Sequence, residues 1–454
     1  MMIDMEQNMK NSSVKVADTL ILGGGIAGLE AALNLANTGH QVVIVEKDLS
    51  IGGRMIHLSK VFPTLDCSAC ITTPKVSEAS RHPGIHIQVN TGAKKLAFDA
   101  KGHWHVHVQT EPRFVNESLC TGCQDCERAC PVVVKDEYQY NLVGRKVAYI
   151  PFSIASPRIA AIDIENCILC GACEKACVPG AIDFSQEPVQ TEWIVKSVII
   201  ASGFTLFDPD QIARYGGGKF KNVVTAMQME RQLVPTRPFN TVLRPGDGKI
   251  PDKVAYVLCA GSRDGTVGNP ICSQICCMYS IKQAQLILGA LPMADVTVYY
   301  LHIRSFGKGF DEFYQQAKKM DVSFIKGKIG KISELENGDL MLRYEDIASG
   351  KIKEAKHDMV VLSVGILANR DIEKISGLEN LELDPFHYLK QRQEMSNPFK
   401  TNLPGIFMAG TASGPMDIPD SILSAGAVSA MVTKYNKGFV ESIINSLTIS
   451  SWNE

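Results

Sequence analysis

VADTLILGGGIAGLEAALNLANTGHQVVIVE, residues Val16–Glu46, decides the fold of this chain. Val16 to Leu22 reads as a short buried strand. It runs into GGGIAG, where Gly23, Gly25 and Gly28 fit G-x-G-x-x-G. A helix follows, with apolar residues at Leu29, Ala32, Leu33 and Ala36, and ends at Gly39. The next strand, QVVIVE, closes on Glu46, 23 residues after Gly23. The glycine motif alone is a weak signal. With a strand before it, a helix behind it and an acid at this distance, it specifies a βαβ dinucleotide-binding unit. Glycines let the backbone approach a pyrophosphate, the helix N-terminus stabilises its charge, and Glu46 can accept hydrogen bonds from the adenosine ribose.

Working outward, Lys47 is assigned to the same nucleotide, and Gly52, Gly53 and Arg54 form a second glycine turn. Many FAD proteins with two dinucleotide domains have such a turn beside the diphosphate and the flavin. Far downstream, TNLPGIFMAGTASG (Thr401–Gly414) resembles the second FAD signature of those enzymes, a strand ending in A-G-D. Here Gly410 is followed by Thr411, so the carboxylate-to-ribitol hydrogen bond is replaced or absent. SVIIASGF (Ser197–Phe204, with Ala201 and Gly203) and MVVLSVGI (Met359–Ile366) read as paired strand–glycine crossings between an FAD and an NAD domain, or as two ordinary buried strands.

Two cysteine runs interrupt this flavoprotein pattern. CTGCQDCERACP places Cys120, Cys123, Cys126 and Cys130 at C-x2-C-x2-C-x3-C-P spacing, and CILCGACEKAC repeats it with Cys167, Cys170, Cys173 and Cys177. This is the bacterial two-cluster ferredoxin signature, in which the fourth cysteine of each run crosses to the other [4Fe–4S] cube. The spacing therefore predicts Cys120, Cys123, Cys126 and Cys177 on one cube, and Cys167, Cys170, Cys173 and Cys130 on the other. Disulfides or structural zinc fit less well, because zinc sites need four ligands in two pairs rather than two matched quartets. Val178 before Pro179 departs from the first run in backbone, not in ligands. The module sits inside the FAD domain, an insertion tolerated where both ends lie close together on a surface loop.

A second dinucleotide domain is expected to begin near Lys253, at VAYVLCAGSRDG. Its glycine fingerprint is broken: Cys259, Gly261 and Gly265 stand where a pyrophosphate turn would be. With Cys272, Cys276 and Cys277 close behind, Cys259 completes a set of four that forms either a third, irregularly held cluster or a group of buried thiols. Cys67 and Cys70, in FPTLDCSACITTP, are half a metal site or a redox dithiol. His103, His105 and His107 alternate along HWHVHV, which reads as a solvated strand face rather than a metal site.

The chain has 454 residues, 45% of them hydrophobic, enough for two or three domains. A formal net charge of −2 argues against nucleic acid or an anionic membrane as partner. MMIDMEQNMKNSS is polar and lacks a leader's apolar stretch, and no uninterrupted apolar run of about 18 residues exists. A cytoplasmic protein without a transmembrane segment is expected, its cysteines binding metal rather than each other. The expected partition is 14–112, 188–250 and 369–454 for the FAD domain, 113–187 for the inserted ferredoxin module, and 251–368 for a degenerate NAD-type domain.

VEKDLSIGGRM, FPTLDCSACITTPK, CTGCQDCERACPV, NCILCGACEKAC, CSQICCMYSIK and IFMAGTASGPMDIPDSI occur in this order. Together they resemble the A subunit of heterodisulfide reductase and its relatives in other anaerobes, over about residues 16 to 435. The resemblance implies an α/β, thioredoxin-reductase-like FAD protein with two dinucleotide-binding domains and an inserted two-cluster ferredoxin domain. It also implies a nicotinamide domain that has exchanged its cofactor for a [4Fe–4S] cluster at Cys259, Cys272, Cys276 and Cys277. Lys282 is placed near flavin N5, where an ammonium would stabilise a reduced, anionic flavin; otherwise it is a surface helix lysine. In relatives the D-C-x-x-C pair helps ligate a cluster shared with N-terminal cysteines. This chain has none before Cys67, so a partner or a second copy would complete that site, or the pair carries no metal.

The function so implied is that of an electron-transferring FAD/iron–sulfur component of a heterodisulfide-reductase-like complex, with bifurcating variants among its kin. Its expected partners are the other subunits of such a complex and ferredoxin-type carriers. The chain is expected as a homodimer, tied to a membrane complex only through partners. The alternatives are a stand-alone NAD(P)H-dependent FAD/Fe–S oxidoreductase similar to the small subunit of glutamate synthase, and a redox sensor switched by Cys67 and Cys70. The broken fingerprint from Cys259 to Gly265 counts against the first.

Overall fold

The computed structural model describes residues 13–392 and 397–437. The polar N-terminal stretch up to Ser12, and 393–396 and 438–454 of the segment 369–454, lie outside the described residues. Short apolar runs form the first sheet. Ile406–Met408, Ser197–Ile200, Thr19–Leu22, Val42–Val45 and Ile85–Gln88 lie side by side in that order, all parallel. The middle strands are buried at every position, as a parallel sheet covered on both faces requires.

One face is covered by the helices Ile26–Asn37 and Ile418–Asn436, through Leu29, Leu35, Ala425 and Val428. The other is covered by a four-stranded sheet, which packs Val106, Trp193 and Val195 onto Leu20, Leu22 and Val43. The single strand expected over Val16–Leu22 is two strands. Ser13–Val16 pairs in parallel with Val189–Val195 in the four-stranded sheet, and Thr19–Leu22 belongs to the five-stranded one. The break falls at Asp18, whose carboxylate accepts the Gln41 amide at 2.7 Å while its own amide donates to the Gln41 carbonyl at 2.9 Å.

The iron–sulfur segment leaves this scaffold between two strands that pair with each other. Trp104–Thr110 runs antiparallel to Val189–Val195, and Thr110 stands opposite Val189. The insertion's two ends are thus neighbours, so it disturbs no pairing. It has its own core, in which Val115, Ile150, Ile159, Ile162 and Ala181 pack around Cys126, Cys130 and Cys173.

The second dinucleotide domain is a seven-stranded sheet ordered Val223–Thr225, Met359–Val364, Lys253–Ala260, Asp295–Tyr300, Ser323–Glu334, Leu340–Asp346, Lys351–His357, so it takes in Val223–Thr225 and the helix Ala226–Leu233 from the segment 188–250 that was expected in the FAD domain. The first five are parallel neighbours, and the last two continue as an antiparallel meander. The two glycine crossings pair where they pass between domains: Phe204–Leu206 runs antiparallel to Ile366–Ala368. His105 bonds Glu192 at 2.7 Å across to the neighbouring strand, on the half-buried face of Trp104–Thr110, so the histidine face is a polar sheet surface. Among the described residues, no helix is long and apolar enough to cross a membrane.

Candidate functional site

The glycine turn after Thr19–Leu22 is built by close backbone approach. A Cβ on Gly28 would lie 1.9 Å from the Gly23 carbonyl oxygen, so only glycine lets the helix start this near the strand. Gly53 has φ +53°, and a Cβ there would lie 2.7 Å from Gly25 Cα. The two glycine turns therefore touch, and the Gly52 amide donates to the Gly24 carbonyl at 2.8 Å. Gly23 abuts Ala201 on the adjoining strand, and Gly203 and Gly410 turn out of their strands with positive φ. The Gly410 amide is held by Ser424 Oγ at 2.9 Å, and Thr411 is buried beside it. This bare backbone at a helix N-terminus fits a dinucleotide diphosphate.

Glu46 is buried at the same turn. Its Oε2 accepts the Gly24 amide at 2.7 Å and its Oε1 the Asp48 amide at 2.9 Å. Burial, with the Asp48 charge second, pushes its carboxyl up to about 7. Each carboxylate oxygen retains a lone pair for a ribose hydroxyl. Lys47 instead points outward to Asp371, at 2.9 Å. Arg54 donates to the Tyr140 hydroxyl at 2.9 Å and lies over the Phe204 ring.

In the insert, Cys120, Cys123, Cys126 and Cys177 line one hollow, and Cys130, Cys167, Cys170 and Cys173 line a second. Cys123 and Cys170 are exposed, while Cys126, Cys130 and Cys173 are buried. Burial pushes the Cys126 thiol up to about 11, with Cys120, Cys123 and Cys177 adding to the rise. Burial likewise raises Cys173, with Cys167 and Cys130 adding to it. Among the described residues no group of three or more His, Cys, Asp or Glu side chains converges on a single metal ion. In a bacterial-type dicluster module the four thiolates of each cube bind four different irons.

The third cysteine set gathers at the C-terminal end of Lys253–Ala260. Cys259 has φ +59°, where the pairing of this strand shifts register. Cys276 and Cys277 open the helix Cys276–Ala290, and Cys272 Sγ accepts the Gln274 amide at 3.3 Å. Cys277 is pushed up to about 11 by burial, and Cys276 is raised further, by burial and by Cys259, Cys277 and Cys272. Arg263 and Arg304 oppose the rise at Cys259. The positive charges of Arg263 and Arg304 on this set of thiols favour an anionic metal–thiolate cluster. Cys67 caps the helix Ser68–Arg81, its Sγ accepting the Cys70 amide at 3.2 Å, with Cys70 exposed. A hydrogen bond with Cys67 raises the Cys70 thiol.

Lys282 is not a surface lysine: it is 1% exposed in the middle of its helix. Its ammonium donates to Glu230 Oε1 at 2.5 Å and to the Lys60 carbonyl at 2.7 Å. Glu230 also accepts from the Ser59 amide and hydroxyl and from Gln283. Burial alone would raise the Glu230 carboxyl, but the Lys282 charge and these donors hold it below its ordinary value. Ser59 and Lys60 follow the short helix Gly53–His57, so Lys282 reaches this segment directly at the Lys60 carbonyl and through Glu230 at Ser59. The sequence carried no signal for Glu230, an acid in an eight-residue helix far from every glycine or cysteine motif.

Fold and site define a class: a flavoprotein of two dinucleotide-binding domains with a two-cluster iron–sulfur module set into the first. The 4Fe-4S dicluster domain family matches residues 119–182, and the FAD binding domain family residues 18–60. The iron-sulfur A subunit of CoB–CoM heterodisulfide reductase from Methanocaldococcus jannaschii is 42% identical over 416 residues, covering 91% of this chain and 63% of that protein. The A subunit of the H(2)/formate:CoB-CoM heterodisulfide,ferredoxin reductase from Methanococcus maripaludis is 39% identical, covering 96% of this chain and 67% of that protein. An iron-sulfur A subunit of CoB–CoM heterodisulfide reductase from Methanopyrus kandleri is 39% identical, covering 98% and 68%. The chain belongs to the family of heterodisulfide reductase A subunits, and FAD and [4Fe–4S] clusters are its cofactors. It spans less than two thirds of the length of the first of these relatives. Thioredoxin reductase of T. acidophilum shares the fold, with a TM-score of 0.52 at 15% identity, covering 94% of this chain and 99% of that one.

Proposed function

We propose that the chain is the electron-transferring FAD/iron–sulfur component of a heterodisulfide-reductase-like complex, an oxidoreductase that splits or merges electron pairs, with bifurcation as its fullest form. FAD exchanges electrons in pairs and each [4Fe–4S] cube singly, which is the redox chemistry the cofactors supply. Gly23, Gly25, Gly28, Glu46, Gly53, Arg54, Ala201, Gly203, Gly410 and Thr411 would hold the FAD. The two crossed quartets would hold the cubes of the insert, and Cys259, Cys272, Cys276 and Cys277 a third. The protein's residues supply placement and electrostatics: glycine backbone seats the diphosphate, Glu230 fixes Lys282 beside the flavin-side segment, and the thiolates set cluster positions.

The carrying observation is that the two hollows, each lined by four cysteines, belong to a segment that also touches Arg54 and His57 behind the second glycine turn. Partners are proposed to be the remaining subunits of such a complex and ferredoxin-type carriers, with the chain as a homodimer in the cytoplasm, attached to a membrane complex only through them. Cys67 and Cys70 would take up a cluster shared with a partner or a second copy, or act as a redox dithiol. Anaerobic purification followed by iron and flavin quantification tests the reading. About twelve irons and one FAD per chain support it. Rapid bleaching of the flavin by NADPH in the isolated chain would replace it with the stand-alone oxidoreductase.

A further inference from the structure

Besides the paired crossing strands, a second joint links the domains, and the insert makes it. The turn 136–142 leaves the iron–sulfur core and lies between the Gly53–His57 helix and the helix Ala226–Leu233 at the edge of the second domain. Tyr138 donates its hydroxyl to the Ile56 carbonyl at 3.0 Å, stacks on Phe152 of the module and contacts the His57 ring. Arg231, fully buried, lies 4.4 Å from the Tyr138 ring centroid. It also donates to Gln139 Oε1 at 3.0 Å and to the His57 carbonyl at 3.1 Å. Gln228 donates to the Tyr140 carbonyl at 3.1 Å, and the Tyr140 hydroxyl takes the Arg54 bond. One guanidinium thus touches the flavin-side helix, the module and the second domain together. His57, between Arg54 and Arg231, is held neutral, its pKa lowered to about 3 by burial and then by those two charges.

A two-stranded ribbon such as Phe204–Leu206 with Ile366–Ala368 is by itself a hinge, and domains so joined move unless another contact fixes them. We propose that the turn 136–142 is a clamp that holds the second domain and the iron–sulfur module in one orientation about the Gly53–His57 helix, with Arg231 and Tyr138 as its positioning residues. The Ser59–Glu230 bond lies beside this clamp and acts with it. Because tunnelling depends steeply on distance, the clamp also fixes the separation between the module's cubes and the flavin. That consequence rests on the proposed function, whereas the clamp itself does not.

The test uses the full, cofactor-loaded chain and its Arg231→Ala, Arg231→Lys and Tyr138→Phe variants. Hydrogen exchange of the amides in 54–58, 136–142 and 226–233 reads the clamp, and stopped-flow transfer from the reduced module to the flavin reads the separation. Arg231→Ala is expected to speed exchange at least about tenfold in all three segments, with iron and FAD content unchanged, and to slow the transfer. Arg231→Lys should restore part of both, and Tyr138→Phe, which keeps the ring under the guanidinium, should stay near the parent. Should Arg231→Ala fail to fold, Gln139→Ala on the turn gives the same readout more weakly. Unchanged exchange across 136–142 in Arg231→Ala, or in Gln139→Ala where Arg231→Ala does not fold, overturns the clamp. Faster exchange with no change in transfer keeps the clamp and removes its link to the electron path.

Discussion

Lys282 Nζ sits 2.5 Å from Glu230 Oε1 with both side chains buried, an ion pair inside the second domain whose two members also bond Lys60 and Ser59 of the segment leading out of the second glycine turn. Such a pair costs desolvation on both sides, and its loss is asymmetric. Glu230→Ala leaves a buried ammonium without its counter-charge and is expected to destabilise the fold by roughly 3–5 kcal/mol. The double change Glu230→Leu with Lys282→Met should recover much of that loss in stability but shift the flavin potential. Denaturant titration and a redox titration check the two halves. Because the Glu230 carboxyl is held low in the folded state, its contribution is present above its unfolded value and is lost as pH falls below it. Acid denaturation should therefore come at higher pH without this carboxylate.

Glu46 behaves in the opposite sense. Its carboxyl is raised to about 7 by burial, so its contribution to the stability of the cofactor-free chain is fully present below the unfolded value and is lost as pH rises through about 7. Ribose hydroxyls favour the ionised form, so FAD binding should release a proton. FAD affinity of the cofactor-free chain is expected to fall as pH drops from 8 to 6, by about tenfold for each unit in which Glu46 is protonated. Glu46→Gln should bind more weakly and lose the dependence, as flavin fluorescence titration would report.

Gly53→Ala places a Cβ 2.7 Å from Gly25 Cα at a residue with φ +53°. The left-handed backbone costs about 1–2 kcal/mol for any side chain, and the contact adds to it. The expected outcome is loss of FAD from a chain that keeps its iron, read from the ratio of flavin absorbance to iron.

Cys177→Ser is expected to disturb the cube of Cys120, Cys123 and Cys126, not that of its sequence neighbours Cys167, Cys170 and Cys173. About four irons should be lost or converted, with the other cube's paramagnetic signal retained on reduction. Cys130→Ser should give the reciprocal pattern. Both variants affecting the same signal would show that the hollows are filled without crossing.

Cys276→Ser tests the third set alone. Iron should fall by about four with both signals of the insert intact, and an unchanged iron content would make Cys259, Cys272, Cys276 and Cys277 plain buried thiols.

Local pattern was enough for much of this molecule. The spacing from Gly23 to Glu46 stated the first βαβ unit, and the two matched cysteine runs stated the two quartets, because each is a motif whose residues recur at fixed spacing. The strand over Val16–Leu22 was misread because its break depends on Gln41, a partner 23 residues away across the sheet. The contact of Lys47 with Asp371, 324 residues on, lies beyond what sequence proximity can show.

The amino-acid sequence by itself determined which backbone can approach a dinucleotide and which cysteine runs repeat the two-cluster motif, since glycine's missing Cβ and the spacing within each run act over a few residues. Tertiary structure alone decided that Lys282 is buried against Glu230 and that Arg231 meets Tyr138 and His57, contacts made across 52, 93 and 174 residues of chain. Burial and long-range charge pairing are properties of the packed chain, and no periodicity within a single element encodes them.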